Sequence, residues 1–528
     1  MQRRVESQSY LNHGRVLRLS AMRYHDRPAL EFEGRVTSFV DLNEQVNAMA
    51  HALADHDVSV GDRVVLVAPN GPDYVRVMFA AAKLGAVTVP TNTGLLTPDL
   101  AHIVRASRPR VIVAGEAYLD RANEAVGLAG PEATPEVLRL LPDSTLLDRA
   151  PDAGTLALVG HSVAEPPAPG TSDADTAVLL FTSGSMGTPK AVAKSFGNVT
   201  WHALNRQISQ PRWEGDRELV VVPLTGVGFG NFLLTDIMVG ATCVLEPRFD
   251  AQRTATLLRG GDIHVAFLAP TMLLAVEGVD PQAEFPSVRV LETAYEVTPD
   301  QRKRIAAMVP SAQILYSYGC TEGSMARAPA EAFLSDITNV GYASGLDQYR
   351  VLADGAEPAE IEVSGPTVMQ GYLRDDGRID GGDIHEGWFP TGDLGTQDEC
   401  GAIHFAGRAK DMIKSGGLNV FASDVESALA GHDAVSAVAV VGVPDDYWGE
   451  AVVAVLELAA GARTAGLESS LREHARETLA GYKRPKAYLR VDRLPFNSGG
   501  KLAKSEVRSM IEKGLARPLA DSEPTPVE

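Results

Sequence analysis

The stretch Phe181-Thr182-Ser183-Gly184-Ser185-Met186-Gly187-Thr188-Pro189-Lys190 concentrates hydroxyls, glycines and a single lysine. Small residues let backbone N–H groups and hydroxyls turn inward around a phosphate chain, and Lys190 adds a point charge for the anion. The pattern is not GxxxxGK[ST], because Pro189 precedes the lysine and Ala191 follows it. A phosphate-binding loop of another type is therefore expected, entered from a buried strand over Thr176 to Leu180.

Further stretches carry groups that suit the same ligand. Tyr318-Gly319-Cys320-Thr321-Glu322 offers an aromatic face for a purine, a hydroxyl for phosphate and a carboxylate for Mg²⁺ bridged to phosphate oxygens. Thr391-Gly392-Asp393 sets a carboxylate on a tight turn, where it can accept from ribose hydroxyls. The guanidinium fork of Arg408 can meet the same ribose from the other side. Asn497-Ser498-Gly499-Gly500-Lys501 puts a lysine on a glycine-rich loop. From there it could supply charge where a carboxylate attacks an α-phosphate. Each stretch alone is an ordinary turn or strand end.

The elements that must position these groups read as α/β. Leu42, Val46, Met49, Ala50 and Leu53 recur at helical spacing. Strands are expected at Asp62 to Val67, Gly85 to Pro90 and Arg110 to Ala114, alternating with helices, which argues a parallel doubly wound sheet. The Pro-, Gly- and Asp-rich residues from Gly115 to Ala174 are expected to wander over the surface, and a helix to follow the phosphate loop at Asn198 to Ser209. Alternation then resumes as a second α/β layer, with a β-rich subdomain through Phe405. Beyond Arg408 a small α+β domain is expected, its first helix opened by a capping box at Ser423-Asp424-Val425-Glu426. The expected division is 1–408, 409–515 and a disordered tail, 516–528.

A length of 528 residues is too long for one core. The net charge of −20 argues against a nucleic-acid or anionic-membrane surface. Cys243, Cys320 and Cys400 are scattered and suggest neither a disulfide framework nor a zinc site. Neither a signal peptide nor an apolar run of membrane-spanning length is read, so a cytoplasmic protein is expected.

Taken together with Gly365 to Tyr372, these motifs occur in an order and spacing that resemble the adenylate-forming superfamily of acyl- and aryl-CoA synthetases, luciferases and peptide-synthetase adenylation domains. The resemblance runs from the Asp62 strand to Lys504. It implies that Thr182, Ser183, Gly184, Ser185, Gly187, Thr188 and Lys190 hold the ATP phosphates, with Thr321 adding a hydroxyl and Glu322 holding Mg²⁺. It implies further that Asp393 and Arg408 bind ribose and that Tyr318 lies against adenine, beside Gly319 and the Ala294-Tyr295-Glu296 segment. Lys501 would serve adenylation, Lys410 the hinge of a mobile C-terminal domain, and Lys414 the second half-reaction, with Gly416 and Gly417 approaching a thiol acceptor.

The sequence departs from the family pattern at Met186, where a hydroxyl is usual, and at Thr293-Ala294-Tyr295, where Gly-Gly-Ala is usual. Thr225 and Gly226 replace an aromatic and a histidine, which would open an acid pocket drawing on Phe229, Asn231, Ala294 and Gly319. Asp236 is read as an exposed or helix-capping residue, with pairing to a substrate amine as the rarer case. The resemblance thus implies a Mg·ATP-dependent ligase that turns an aromatic or bulky carboxylic acid into acyl-AMP and passes the acyl group to CoA. A free amine, a carrier-protein thiol or a diazotase-like use of nitrite, as in secondary metabolism, is the alternative chemistry. A nucleotide-binding regulatory protein is the alternative class, and the presence of Lys501, Lys414, Glu322 and Arg408 speaks against it.

Overall fold

A computed structural model of the chain describes residues 9–141, 154–182, 189–226, 228–294, 299–323, 325–328, 330–336, 338–352, 357–416, 418–459, 461–496 and 502–519. The strands Arg63–Val67, Val87–Pro90, Val111–Gly115 and Thr176–Thr182 are parallel and central to the first sheet. Their side chains alternate between two faces. Val64, Leu66, Val111, Val113 and Leu180 face one core. Val65, Val67, Ile112, Ala114 and Leu179 face another, under the helices Thr97–Ser107 and Leu119–Ala129. Burial on both sides is why these strands read as unbroken apolar runs.

The first of these cores continues into the second sheet, through Leu219, Val244, Ala266, Leu291 and Ile314 on its parallel strands. The expected β-rich subdomain has no sheet to itself. Asn339–Ala343 pairs with Met325–Ala328 on one side and Ile403–Arg408 on the other, so the later strands extend the second sheet edge to edge. Gly341 makes that junction possible: it sits at φ +80°, and a Cβ there would lie 2.0 Å from the Arg327 carbonyl oxygen. A strand at Glu136–Leu140 also pairs with Val111–Gly115, where an irregular surface run was expected.

The Ala409–Asp411 turn leads from the second sheet to Met412–Ser415, which belongs to a separate sheet with its own apolar core around Val425, Val440, Val452 and Leu471. Its first helix, Ala422–Ala430, has no capping box. Ser423 Oγ donates instead to the Ala406 carbonyl at 2.6 Å, and Glu426 accepts from the Val440 backbone and pairs with Lys504. Long-range partners have taken both side chains from the helix start. No helix among the described residues is long and apolar enough to cross a membrane.

A charged cluster is buried between the helix Phe196–Ser209 and the second sheet. Arg206 Nη2 lies 2.8 Å from Glu218 and 2.9 Å from Glu292, and Arg212 Nε lies 2.6 Å from Glu218. Burial alone would raise the Glu218 carboxyl, but Arg206 and Arg212 reverse that and hold it well below its ordinary range. Arg327 and Arg206 likewise overcome burial and hold Glu292 at about 2. Asp236 is fully buried 3.4 Å from Arg212, which corrects the exposed or capping reading. Burial and the neighbouring Glu218 push its carboxyl well above the usual range.

The two acids therefore respond oppositely. A depressed carboxylate contributes stability above its unfolded pKa and loses it as pH falls through the folded value, so Glu292 acts between 4.5 and about 2. Asp236 contributes in the reverse sense and loses its contribution as pH rises. Glu218→Gln leaves two buried guanidinium groups short of a partner and is expected to cost about 3–5 kcal/mol. Asp236→Asn is expected to leave the neutral-pH melting temperature unchanged or raised. Thermal unfolding of both variants at neutral pH checks this, and equal losses in the two would contradict it.

Candidate active site

The candidate phosphate loop is carried on a hairpin. Thr176–Thr182 pairs antiparallel with Lys190–Ser195, a strand absent from the sequence reading, and Thr182 stands directly opposite Lys190. Ser183, Gly184, Ser185, Met186, Gly187 and Thr188 lie outside the described residues. At the foot of the hairpin the Lys190 ammonium lies 4.9 Å from the centre of the Tyr372 ring. Tyr372 OH in turn donates to Glu322 Oε1 at 2.9 Å. Burial and the Glu322 charge raise that phenol's pKa, so it stays a donor.

A residue the sequence reading passed over fixes Glu322. Lys194, 1% exposed, donates from Nζ to the Glu322 carbonyl at 3.0 Å and the Thr367 carbonyl at 2.7 Å. Its third neighbour is His202 Nε2 at 3.4 Å. Burial lowers the ammonium to about 8, against the pull of Cys320, Glu322 and Asp347. His202 is lowered well below its ordinary value by burial and then by Lys194, so it is a neutral acceptor. The Met369 backbone N–H also donates to the Glu322 carbonyl, at 2.7 Å. A signal was present in the strand: Lys194 shares the inward face of Val192 in a two-residue alternation, where a charge must find buried partners.

Tyr318, Asp393 and Arg408 meet as a second group. Asp393 and Arg408 are cross-strand partners on Phe389–Gln397 and Ile403–Arg408. Tyr318 OH donates to Asp393 Oδ2 at 2.7 Å, and Arg408 Nε lies 2.9 Å from Oδ1. The Asp393 backbone N–H donates to Thr391 Oγ1, whose own hydroxyl donates to Ile361, so the turn is tied down. Burial, then Asp393 and Tyr349, raise the Tyr318 phenol well above its usual range. Asp393 is almost wholly buried, and Oδ1 has an ionic neighbour but no aligned hydrogen bond. An orphaned carboxylate oxygen of this kind fits a ligand hydroxyl.

Ala294 closes its strand opposite Ser317, and Gly319 ends the neighbouring strand, followed by the half-buried Thr321. Tyr295 and Glu296 lie outside the described residues, while Thr293 is fully buried with an unpartnered hydroxyl. In the expected acid pocket Phe229 is buried, its ring 5.1 Å from that of Phe79, and a Cβ added at Gly226 would meet nothing within 4 Å. Thr225 precedes this opening. Asn231 sits deeper, its carbonyl accepting from Arg206 at 2.6 Å within the charged cluster.

In the small domain Lys410 and Lys414 are exposed, and the Lys414 backbone N–H donates to Glu450 at 2.7 Å. Gly416 has φ +60°, and a Cβ there would come within 3.0 Å of the Trp448 ring. Gly417 and Lys501 lie outside the described residues. Among the described residues no group of three or more His, Cys, Asp or Glu is placed to hold a metal. Glu322 stands as a single carboxylate, which suits an ion that keeps waters and takes other oxygens from a phosphate substrate.

Residues 17–373 match the family model described as AMP-binding enzyme, and residues 424–501 match that of the AMP-binding enzyme C-terminal domain. Feruloyl-CoA synthase of an Amycolatopsis species is 33% identical over 91% of this chain and 95% of its own. Indoleacetate–CoA ligase of Aromatoleum aromaticum is 31% identical over 92% of this chain and 96% of its own. Among solved structures, the o-succinylbenzoate CoA synthetase of Bacillus subtilis, in complex with the acyl-adenylate intermediate OSB-AMP, superposes with a TM-score of 0.80 at 26% identity. That match covers 93% of this chain and 97% of the other.

Lys194→Met removes the donor to two buried carbonyls, each costing about 1–3 kcal/mol when unpaired. The variant is expected to raise KM for the nucleotide about 10-fold or more, with Lys194→Arg falling between it and the wild type. Steady-state kinetics with circular dichroism as a folding control reads this. An unchanged nucleotide KM in a folded Lys194→Met would show that Glu322 is held without the ammonium.

Proposed function

The chain belongs to the AMP-binding enzyme family, and from that premise we propose that it activates an aromatic or bulky carboxylic acid with Mg·ATP. Acyl-AMP and pyrophosphate form first, and the acyl group then passes to CoA. The observation that carries this reading is the convergence of Tyr318, Asp393 and Arg408 on one buried carboxylate, in the same lobe as the Thr182–Lys190 hairpin and Glu322.

In this reading the free acceptor capacity of Asp393 takes ribose hydroxyls, and the Arg408 guanidinium backs them. Lys190 and the hydroxyls of the hairpin loop bind the phosphates, and Glu322 holds Mg²⁺. Bound there, Mg²⁺ neutralises charge on the phosphate oxygens. Lys501 meets the charge that develops as the carboxylate attacks the α-phosphate. Exclusion of water protects the mixed anhydride. Residues 409–515 form a mobile domain that turns about Lys410 and presents Lys414, with Gly416 and Gly417, for the thiol step. The aromatic or bulky class is supported by the open space at Gly226 and by the named acids of the relatives.

Incubation with an aromatic acid, Mg·ATP and either CoA or an amine, with products weighed by mass spectrometry, tests the sequence of steps. An acyl-CoA is the expected product, and an amide formed in preference to it would overturn the assignment of the acceptor. Lys501→Ala is expected to slow pyrophosphate release by about 100-fold. Lys414→Ala is expected to slow thioester formation more than pyrophosphate release. Equal effects of Lys414→Ala on both steps would contradict its role.

A further inference from the structure

A small cavity lies under the acid pocket, lined in part by His13, Leu180, Lys194, His202, Gly226 and Phe229. It offers about 20 Å³ to the centre of a water-sized group, enough for one small substituent. Leu180 is two residues before Thr182, and Gly226 leaves open space where a side chain would otherwise stand. The cavity is thus placed to receive the far end of an acid whose carboxylate faces the nucleotide.

Its polar groups are unequal. The Lys194 ammonium has three partners already, the Glu322 and Thr367 carbonyls and His202, and has no donor to spare for an anion. His13 is 1% exposed, hydrogen-bonded to the Met78 backbone, and has no partner at Nδ1. Its ring is held among Phe196 at 5.4 Å, Phe229 at 5.2 Å and Phe79 at 6.0 Å. Burial lowers its pKa to about 3, so the ring is neutral at working pH and the unpartnered nitrogen is a bare acceptor. An acceptor in an apolar wall favours a group that donates to it.

We propose that this cavity is a specificity subsite for a single hydrogen-bond-donating substituent, hydroxyl or amino, on the ring of the acid, with His13 Nδ1 as its acceptor. The inference rests on the reading of the substrate as an aromatic acid. A methyl group of similar size leaves the nitrogen unpaired, and an anionic substituent finds no free donor.

Acid-dependent pyrophosphate release is measured for benzoates and cinnamates carrying hydroxyl, amino, methyl or no substituent at each ring position. For at least one position, kcat/KM for the hydroxyl or amino acid is expected to exceed that of its methyl counterpart about 10-fold or more. His13→Phe is expected to bring that ratio close to one, and His13→Gln, which keeps an acceptor, to retain much of it. The ratio is internal to each variant and does not depend on the fraction folded. A wild-type ratio near one at every position means the cavity takes only water and overturns the subsite, as does a ratio that survives in His13→Phe. Turnover of aliphatic acids alone overturns the aromatic reading and the subsite together, whereas turnover of aryl acids without the ratio overturns the subsite alone.

Discussion

A buried ammonium has to be surrounded by acceptors, and that requirement ties the site together. Lys194 comes from the strand that leaves the phosphate hairpin in the first sheet, while Glu322 follows a strand of the second. Donation to the Glu322 and Thr367 carbonyls holds both loops against the hairpin. Two backbone links reinforce it, from Met369 to Glu322 and from Gln370 to the Ala193 carbonyl. The lysine acts on the nucleotide only through the groups it positions, and its desolvation is offset by those acceptors.

Beneath this junction the Arg206, Arg212, Glu218 and Glu292 cluster anchors the strands that end at the site. Glu292 accepts from Ser317 at 2.5 Å, linking the strand of Ala294 to the strand of Tyr318. Buried ions of this kind are weak evidence for net stability, because desolvation opposes the Coulomb gain. Their geometric effect is clearer: each guanidinium has little freedom to move without stranding a carboxylate. Asp236 inside the same cluster is the exception, since the neighbouring Glu218 works against its ionisation.

What was legible in the sequence was local. The Asp393 turn, the Tyr318 strand end and Arg408 sit on short motifs whose residue types fit one ligand, and the structure brings those three within hydrogen-bonding or ion-pair distance. The alternation of apolar strands and helices gave the parallel cores for the same reason, since burial on both faces leaves a continuous apolar mark. Lys194, His13 and Asp236 were not legible as they stand, because their partners are distant along the chain. The strand Lys190–Ser195 was hidden by its alanines and lysines, and only pairing with Thr176–Thr182 defines it. Ser423 and Glu426 show the opposite error: a good local capping pattern lost to partners at Ala406, Val440 and Lys504.

The most direct test of the account is whether the enzyme, given Mg·ATP and an aromatic acid, moves label from pyrophosphate into ATP. The account predicts exchange that requires the acid, with AMP as the nucleotide product of net turnover. Acid-dependent formation of ADP and orthophosphate, without exchange, would contradict it.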